Sequence, residues 1–327
     1  MNTVVTGGAG FVGSHLVEVL LRQGHRVTVL DNFSTGRREN LVHLQENTRL
    51  LVQDVDIAGD PLAGWFRKAD WVFHLAALAD IVPSIVRPLD YHRANVDGTV
   101  AVVEAARQAG VKRLIYAASS SCYGRPDKFP TSESAEVRPQ YPYALSKYLG
   151  EQIALHWGHV YKLPVVSLRL FNVYGPRART SGTYGAVFGV FLAQKLNGQP
   201  FTVVGDGAQT RDFTFVTDVV RAFVAAAESD LCQEIFNVGS GGTYSVNQLV
   251  ELLGGPVAYI PKRPGEPECT FADISKIRMK LHWNPAISFK EGVGQMVARL
   301  EDWRSAPVWT PSSIAEATKE WFQYLSS

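Results

Sequence analysis

The run Thr6-Gly7-Gly8-Ala9-Gly10-Phe11-Val12-Gly13 follows the β-branched pair Val4-Val5 and opens onto a helical pattern. Glycines at positions 7, 10 and 13, placed directly after a strand, let the backbone turn tightly, approach a pyrophosphate and close a helix onto the sheet. Asp31 ends the next strand eighteen residues past Gly13. A carboxylate there can bond both hydroxyls of an adenosine ribose and repel a 2′-phosphate, which selects NAD over NADP. A chain that starts this way is expected to be α/β, with a doubly wound parallel Rossmann sheet.

The rhythm of the first half agrees. Strands are predicted at 2–6, 26–31, 48–52, 71–75, 114–119 and 164–170, alternating with helices at 11–22, 95–109 and 143–158. After Asn172 the alternation loosens into a Gly- and Arg-rich loop, a helix at 186–196 and a short strand at 201–204. A helix at 215–227 and a strand at 234–238 return to the sheet. The expected division is therefore a NAD-binding domain of residues 1–170 plus about 208–240, and a smaller interleaved lobe of about 171–207 plus 241–327. Near the end, Thr310 caps a helix with Pro311 in its first turn, and Ile314, Ala317 and Trp321 share a face that docks on the protein.

Composition narrows the partners. Thirty-two Lys+Arg balance 31 Asp+Glu, and no basic run marks a nucleic-acid surface. Cys122, Cys232 and Cys269 have no metal-ligand spacing and form no even disulfide set, so no metal is expected and a reducing, cytoplasmic setting fits. No stretch has the length and apolarity of a membrane span.

The second chemical motif is Tyr143-Ala-Leu-Ser-Lys147. Four residues put the phenol and the ammonium on one helical face, beside a cofactor ribose. A free phenol, with a pKa of about 10, is a weak base at neutral pH. A neighbouring cation and a nicotinamide cation should pull that value down. His74 lies in an apolar strand and reads as a satisfied core histidine; His92 reads as solvent-facing.

Taken with "FHLAA" (73–77), "NVDGT" (95–99), "RLFNVYGP" (169–176), "QTRDF" (209–213) and "RPGE" (263–266), these motifs resemble the extended short-chain dehydrogenase/reductase family over nearly the whole chain, and within it the nucleotide-sugar (UDP-hexose) 4-epimerases. The resemblance implies an isomerase that draws hydride from C4 of a UDP-sugar, rotates the 4-keto sugar and returns hydride to the other face, with NAD as a bound cofactor. It implies Ser119, Tyr143 and Lys147 as catalytic residues. Cofactor contacts would come from Gly7, Gly10, Phe11, Val12, Gly13, Asp31, Asn32, Gly36, Asp54, Val55, Leu75, Ala76, Ala77 and Asn95 as well as Tyr143 and Lys147. Ser120, Ser121, Asn172, Arg211, Arg263, Glu266 and Thr270 would meet the substrate, and relatives commonly form homodimers through helices 95–109 and 143–158.

Relatives that eliminate water carry an Asp-Glu pair at the positions of Ser120 and Ser121, and decarboxylases carry a glutamate at the second. Two neutral hydroxyls cannot serve as that extra acid and base, which favours redox at C4 alone. A UDP-glucuronate 4-epimerase, with Arg177 and Arg179 near C6, is the alternative; a decarboxylase, a dehydratase and a non-catalytic NAD-binding relative stand further off. Thr270, seven residues past Arg263, stands where a tyrosine in relatives crowds the C2 substituent, so UDP-GlcNAc and UDP-GalNAc are expected to fit beside the plain hexoses.

Overall fold

A computed structural model describes residues 1–178 and 184–326. Seven strands form one parallel sheet in the spatial order Glu234–Val238, Val165–Leu170, Arg113–Ser119, Trp71–His74, Asn2–Thr6, Arg26–Asp31, Leu50–Asp54. The chain builds outward from Asn2–Thr6 in one direction, then crosses back to place Trp71–His74 on its other side. The glycine turn therefore sits at the point where strand order reverses, and ligands of such sheets bind outside the carboxyl ends of the strands at that point.

The sheet is covered on both faces. Leu16, Val17, Leu20, Phe73, Ile115, Leu168 and Phe223 lie in one apolar cluster, and Val4, Val72, Val102, Leu114 and Ala154 lie in another. Strands buried on both faces read as continuous apolar runs, which is why "TVVT" and "WVF" carry no alternation. A third cluster, with Phe188, Phe191, Phe201, Phe213, Phe215, Leu249 and Phe289, is the core of the smaller lobe.

Four differences from the sequence reading have local causes. The third strand begins at Leu50, because Asn47 Oδ1 accepts the Arg49 N–H and holds the chain in a turn first. The helix expected from Asn95 starts at Gly98 and is preceded by a wide π-type turn over Arg93–Asp97. The smaller lobe does not hold all of 241–327: Ala272, Ile274, Ile277, Leu281 and Trp283 pack into the sheet's own cluster, and Phe213 and Phe215 belong to the smaller lobe's core. Lastly, the C-terminal helix is two, Pro311–Ala317 and Lys319–Leu325, broken at buried Thr318, whose hydroxyl donates to the Ile314 carbonyl at 2.8 Å.

Candidate active site

A cleft of about 700 Å³ runs from the glycine turn to the smaller lobe. At its first end the main chain does the shaping. Gly7 has φ +71°, and a Cβ on it would lie 2.6 Å from the Ala76 nitrogen; a Cβ on Gly13 would lie 2.1 Å from the Gly7 carbonyl oxygen. Those contacts bring the helix Phe11–Arg22 onto the strand end, and its first-turn residues Phe11, Val12 and Gly13, whose N–H groups lack intrahelical partners, line the cleft. Asp31 is buried at the wall, Oδ2 accepting from the Ala9 N–H and Oδ1 from the Phe33 N–H, both at 2.9 Å. Burial pushes its carboxyl above the usual aspartate range, and the two N–H donors oppose the shift.

Gly10, Phe11, Val12, Asn32, Gly36, Val55, Leu75, Ala76 and Ala77 also line this end. The side chains of Asp54 and Asn95 have partners of their own within the protein. Asp54 is exposed and pairs with Arg38 at 2.9 Å, while Asp56 and Ile57 form the wall beside Val55. Asn95 is buried behind the wall: its Oδ1 accepts from the Leu78 N–H, and its Nδ2 donates to the Leu78 carbonyl and the Ser146 hydroxyl, at 2.8–2.9 Å. Its amide is spent on holding the loop after Trp71–His74 in place. His74 is a satisfied core residue, bonded to the Thr6 hydroxyl (2.8 Å) and the Thr99 hydroxyl (3.0 Å), and burial lowers its pKa to about 3. His92 is exposed.

The strand Arg113–Ser119 ends beside the helix Pro142–Tyr161, and this junction brings Ser119, Tyr143 and Lys147 to the cleft. Ser119 caps the short turn Ser120–Tyr123, its Oγ accepting the Ser121 N–H at 3.2 Å. The Ser119 hydroxyl acts to lower the pKa of Tyr143, and Ser121 that of Tyr141. The Lys147 ammonium lies 4.6 Å from the centre of the Tyr116 ring.

The expected downward pull on the phenol is not what the protein by itself produces. Burial drives Tyr143 upward, the Ser119 hydrogen bond opposes this, and the charge of Asp80 adds to the rise. Burial lowers Lys147 to about 7, with Glu151 one helical turn away supporting its charge. Both partners are driven towards neutrality by the same loss of solvent. Glu151 is held in turn by a buried 2.6 Å ion pair with Arg169, whose Nη1 donates to the Tyr123 hydroxyl at 2.9 Å.

At the far end the polar groups come from distant segments. Asn172 Nδ2 donates to the Thr270 hydroxyl at 3.2 Å, and that hydroxyl also accepts the Asp212 N–H at 3.0 Å. Arg211 and Arg263 converge on Glu266, at 2.7 and 3.1 Å. Arg263 Nε and Glu266 Oε2 are buried without an aligned hydrogen bond among the described residues. Ser120, Ser121, Asn172, Arg211, Arg263, Glu266 and Thr270 all line the cleft. Arg177 does not: it pairs with Glu18 and His43 on the helix and loop of the NAD-binding domain. Arg179 lies outside the described residues.

The wall also holds residues that the sequence reading did not assign to the site, among them Asp80, Tyr141, Tyr184 and Trp309. None sits in a spaced motif, so only the fold reveals them. Trp321 was read as an anchor of the last helix; it is also a wall of the cleft.

The chain matches the NAD dependent epimerase/dehydratase family over residues 3–239. It is 38% identical over 306 residues to a UDP-glucose 4-epimerase of Mycolicibacterium smegmatis, an alignment covering 91% of this chain and 97% of that one. It is 36% identical to UDP-glucuronic acid decarboxylase 1 of Arabidopsis thaliana, covering 91% and 69%. A UDP-N-acetylglucosamine 4-epimerase from Methanobrevibacter ruminantium M1, solved in complex with UDP-N-acetylmuramic acid, superimposes with a TM-score of 0.87 at 34% identity, covering 93% of this chain and 98% of that one. The glycine cradle, the buried Asp31 and the helix N-terminus at the strand end fit the family's NAD.

Proposed function

Because this chain belongs to the NAD dependent epimerase/dehydratase family, we propose that it inverts C4 of a neutral UDP-sugar: UDP-glucose and UDP-galactose, with UDP-GlcNAc and UDP-GalNAc admitted as well. The observation that carries this reading is the end of the strand Arg113–Ser119. Three hydroxyls, Ser119, Ser120 and Ser121, face the cleft beside Tyr143 and Lys147, and the second acid and base that elimination or decarboxylation would draw from that turn are missing from it. NAD, when bound, supplies the acceptor and donor of hydride at C4.

The protein's own groups do the rest. Ser119 orients the C4 hydroxyl against Tyr143, which takes its proton as the alcohol becomes a ketone and gives a proton back on the reverse step. Lys147 holds the phenolate by charge. Asn172, Arg211 and Arg263 bind the diphosphate, Arg263 through the nitrogen left without an aligned partner, and Glu266 turns from the arginines to the uridine ribose. The tether leaves the sugar free to present either face.

One observation favours neutral sugars over the uronate alternative: Arg177, a candidate cation for C6, is tied to Glu18 outside the cleft. The remaining expectations are a cytoplasmic location and a homodimer joined through helices 95–109 and 143–158; Leu145, exposed on the second, is available to such a contact, and light scattering should give twice the 36.0 kDa chain mass. No helix among the described residues is long and apolar enough to cross a membrane.

The test is a panel of UDP-sugars followed by NMR for inversion at C4. We expect turnover of the hexoses and the N-acetylhexosamines and none of UDP-glucuronate; release of carbon dioxide from UDP-glucuronate would overturn the assignment. Thr270→Tyr should abolish N-acetyl activity. Thr270→Val, which drops the hydroxyl that joins Asn172 to Asp212 but keeps the size, should retain it. If the tyrosine variant keeps its N-acetyl activity, Thr270 is not the gate.

A further inference from the structure

The family match ends at residue 239, yet the helix Lys319–Leu325 supplies a wall of the substrate end of the cleft. Trp321 is only 3% exposed. Its indole N–H donates to the Pro264 carbonyl at 2.6 Å, next to Arg263. Its ring centre is 5.4 Å from the Arg263 guanidinium carbon, and the Tyr184 ring centre is 5.2 Å from the same atom. The indole is also tilted against the Tyr141 ring, centre to centre 6.3 Å, and Tyr141 lies parallel to Tyr143 at 6.4 Å. The same helix packs against Ile81–Val86, the helix that follows the cofactor-side loop. One aromatic residue thus joins the arginine at the far end of the cleft to the tyrosine at its centre.

We propose that Trp321 is a positioning residue for the substrate: with Tyr184 it fixes the Arg263 guanidinium in the orientation that meets the diphosphate, so the C-terminal helix completes the substrate site. This rests on the UDP-sugar reading above. Glu266 alone cannot do the fixing, since it also holds Arg211 and must give way when an anion arrives. An aromatic face attracts the cation without neutralising it, so the guanidinium stays ordered and fully charged towards the ligand. An arginine ordered in advance loses less rotamer freedom on binding, and the gain appears as affinity. The interaction is the same for bound substrate and transition state, so it should act on KM and leave kcat alone.

The experiment compares wild type, Trp321→Leu and Trp321→Phe in the full-length, NAD-loaded protein. UDP binding is measured by calorimetry, together with kcat and KM on whichever UDP-sugar the wild type epimerises. Leucine keeps apolar bulk and removes the π face. We expect UDP affinity to fall about tenfold and KM to rise by a similar factor, with kcat and bound NAD unchanged; phenylalanine restores most of the loss. Wild-type affinity in Trp321→Leu overturns the proposal. So does an equal loss in Trp321→Phe, which would assign the effect to the Pro264 hydrogen bond. A fall in kcat at constant KM also overturns it, since that pattern belongs to the Tyr141–Tyr143 side. Wild-type protein that does not bind UDP refutes the UDP-sugar reading itself, and the proposal with it.

Discussion

The two ends of the cleft are built in different ways. The cofactor end is made of main chain: a strand end, a glycine turn with no room for a single Cβ at Gly7 or Gly13, and one carboxylate, Asp31, clamped by two backbone N–H groups. The far end, proposed to take the substrate, is made of side chains brought together from Asn172, Arg211, Arg263, Glu266, Thr270 and Trp321, which hold one another by ion pairs, hydrogen bonds and ring contacts. The first end is rigid because its atoms cannot be elsewhere. The second is held by mutual pairing, and single substitutions can retune it. One fold can therefore keep its cofactor while changing its sugar.

The largest effect should come from breaking the rigid end. Gly13→Ala places a methyl group against the Gly7 carbonyl, with backbone on both sides. Neither side can yield, so the purified variant should carry almost no NAD in the supernatant after denaturation, and no activity. A variant that retains wild-type NAD would show that this turn is softer than its packing implies.

The junction between the two ends comes next. Tyr143→Phe removes the proton acceptor without altering the packing of the ring, so turnover should fall roughly a hundredfold or more while NAD and UDP still bind. Near-normal turnover would move the base elsewhere.

That contrast also governs what the sequence disclosed. The glycine turn, Asp31 and the Tyr143–Lys147 pair were legible because each function fixes a short spacing along one strand, turn or helix. For Asp54 and Asn95 the motifs gave position without direction: one side chain pairs with Arg38 at the surface, the other bonds the loop it supports. Asp80, Tyr141, Tyr184 and Trp309 share no spacing at all. Trp321 was visible as an apolar helix residue, but its place in the cleft comes from the tertiary packing of that helix, which no local spacing records. The phenol's upward shift was missed for a related reason. Its neighbours could be counted from the sequence, whereas the depth of burial that outweighs them is a property of the packed structure.

The smallest effect is a matter of charge and should appear as a displacement of the pH profile. The Asp80 charge raises Tyr143, and the Ser119 hydrogen bond lowers it. Removing the negative charge makes the phenolate easier to form, so Asp80→Asn should move the ascending limb of the kcat profile to lower pH. Removing the donor does the opposite, and Ser119→Ala should move the limb to higher pH while lowering its height. Displacements in the same direction for the two variants would mean that Tyr143 is not the group being titrated.

The central claim is that the chemistry is a hydride leaving and returning at C4 with nothing eliminated, and isotope placement tests it most directly. A UDP-sugar carrying deuterium at C4 should be converted to its C4 epimer in unlabelled water with the deuterium still on C4 in both epimers, and with no NADH released to solution. Loss of the label to water, or a product lacking a carbon or a hydroxyl, would contradict the account.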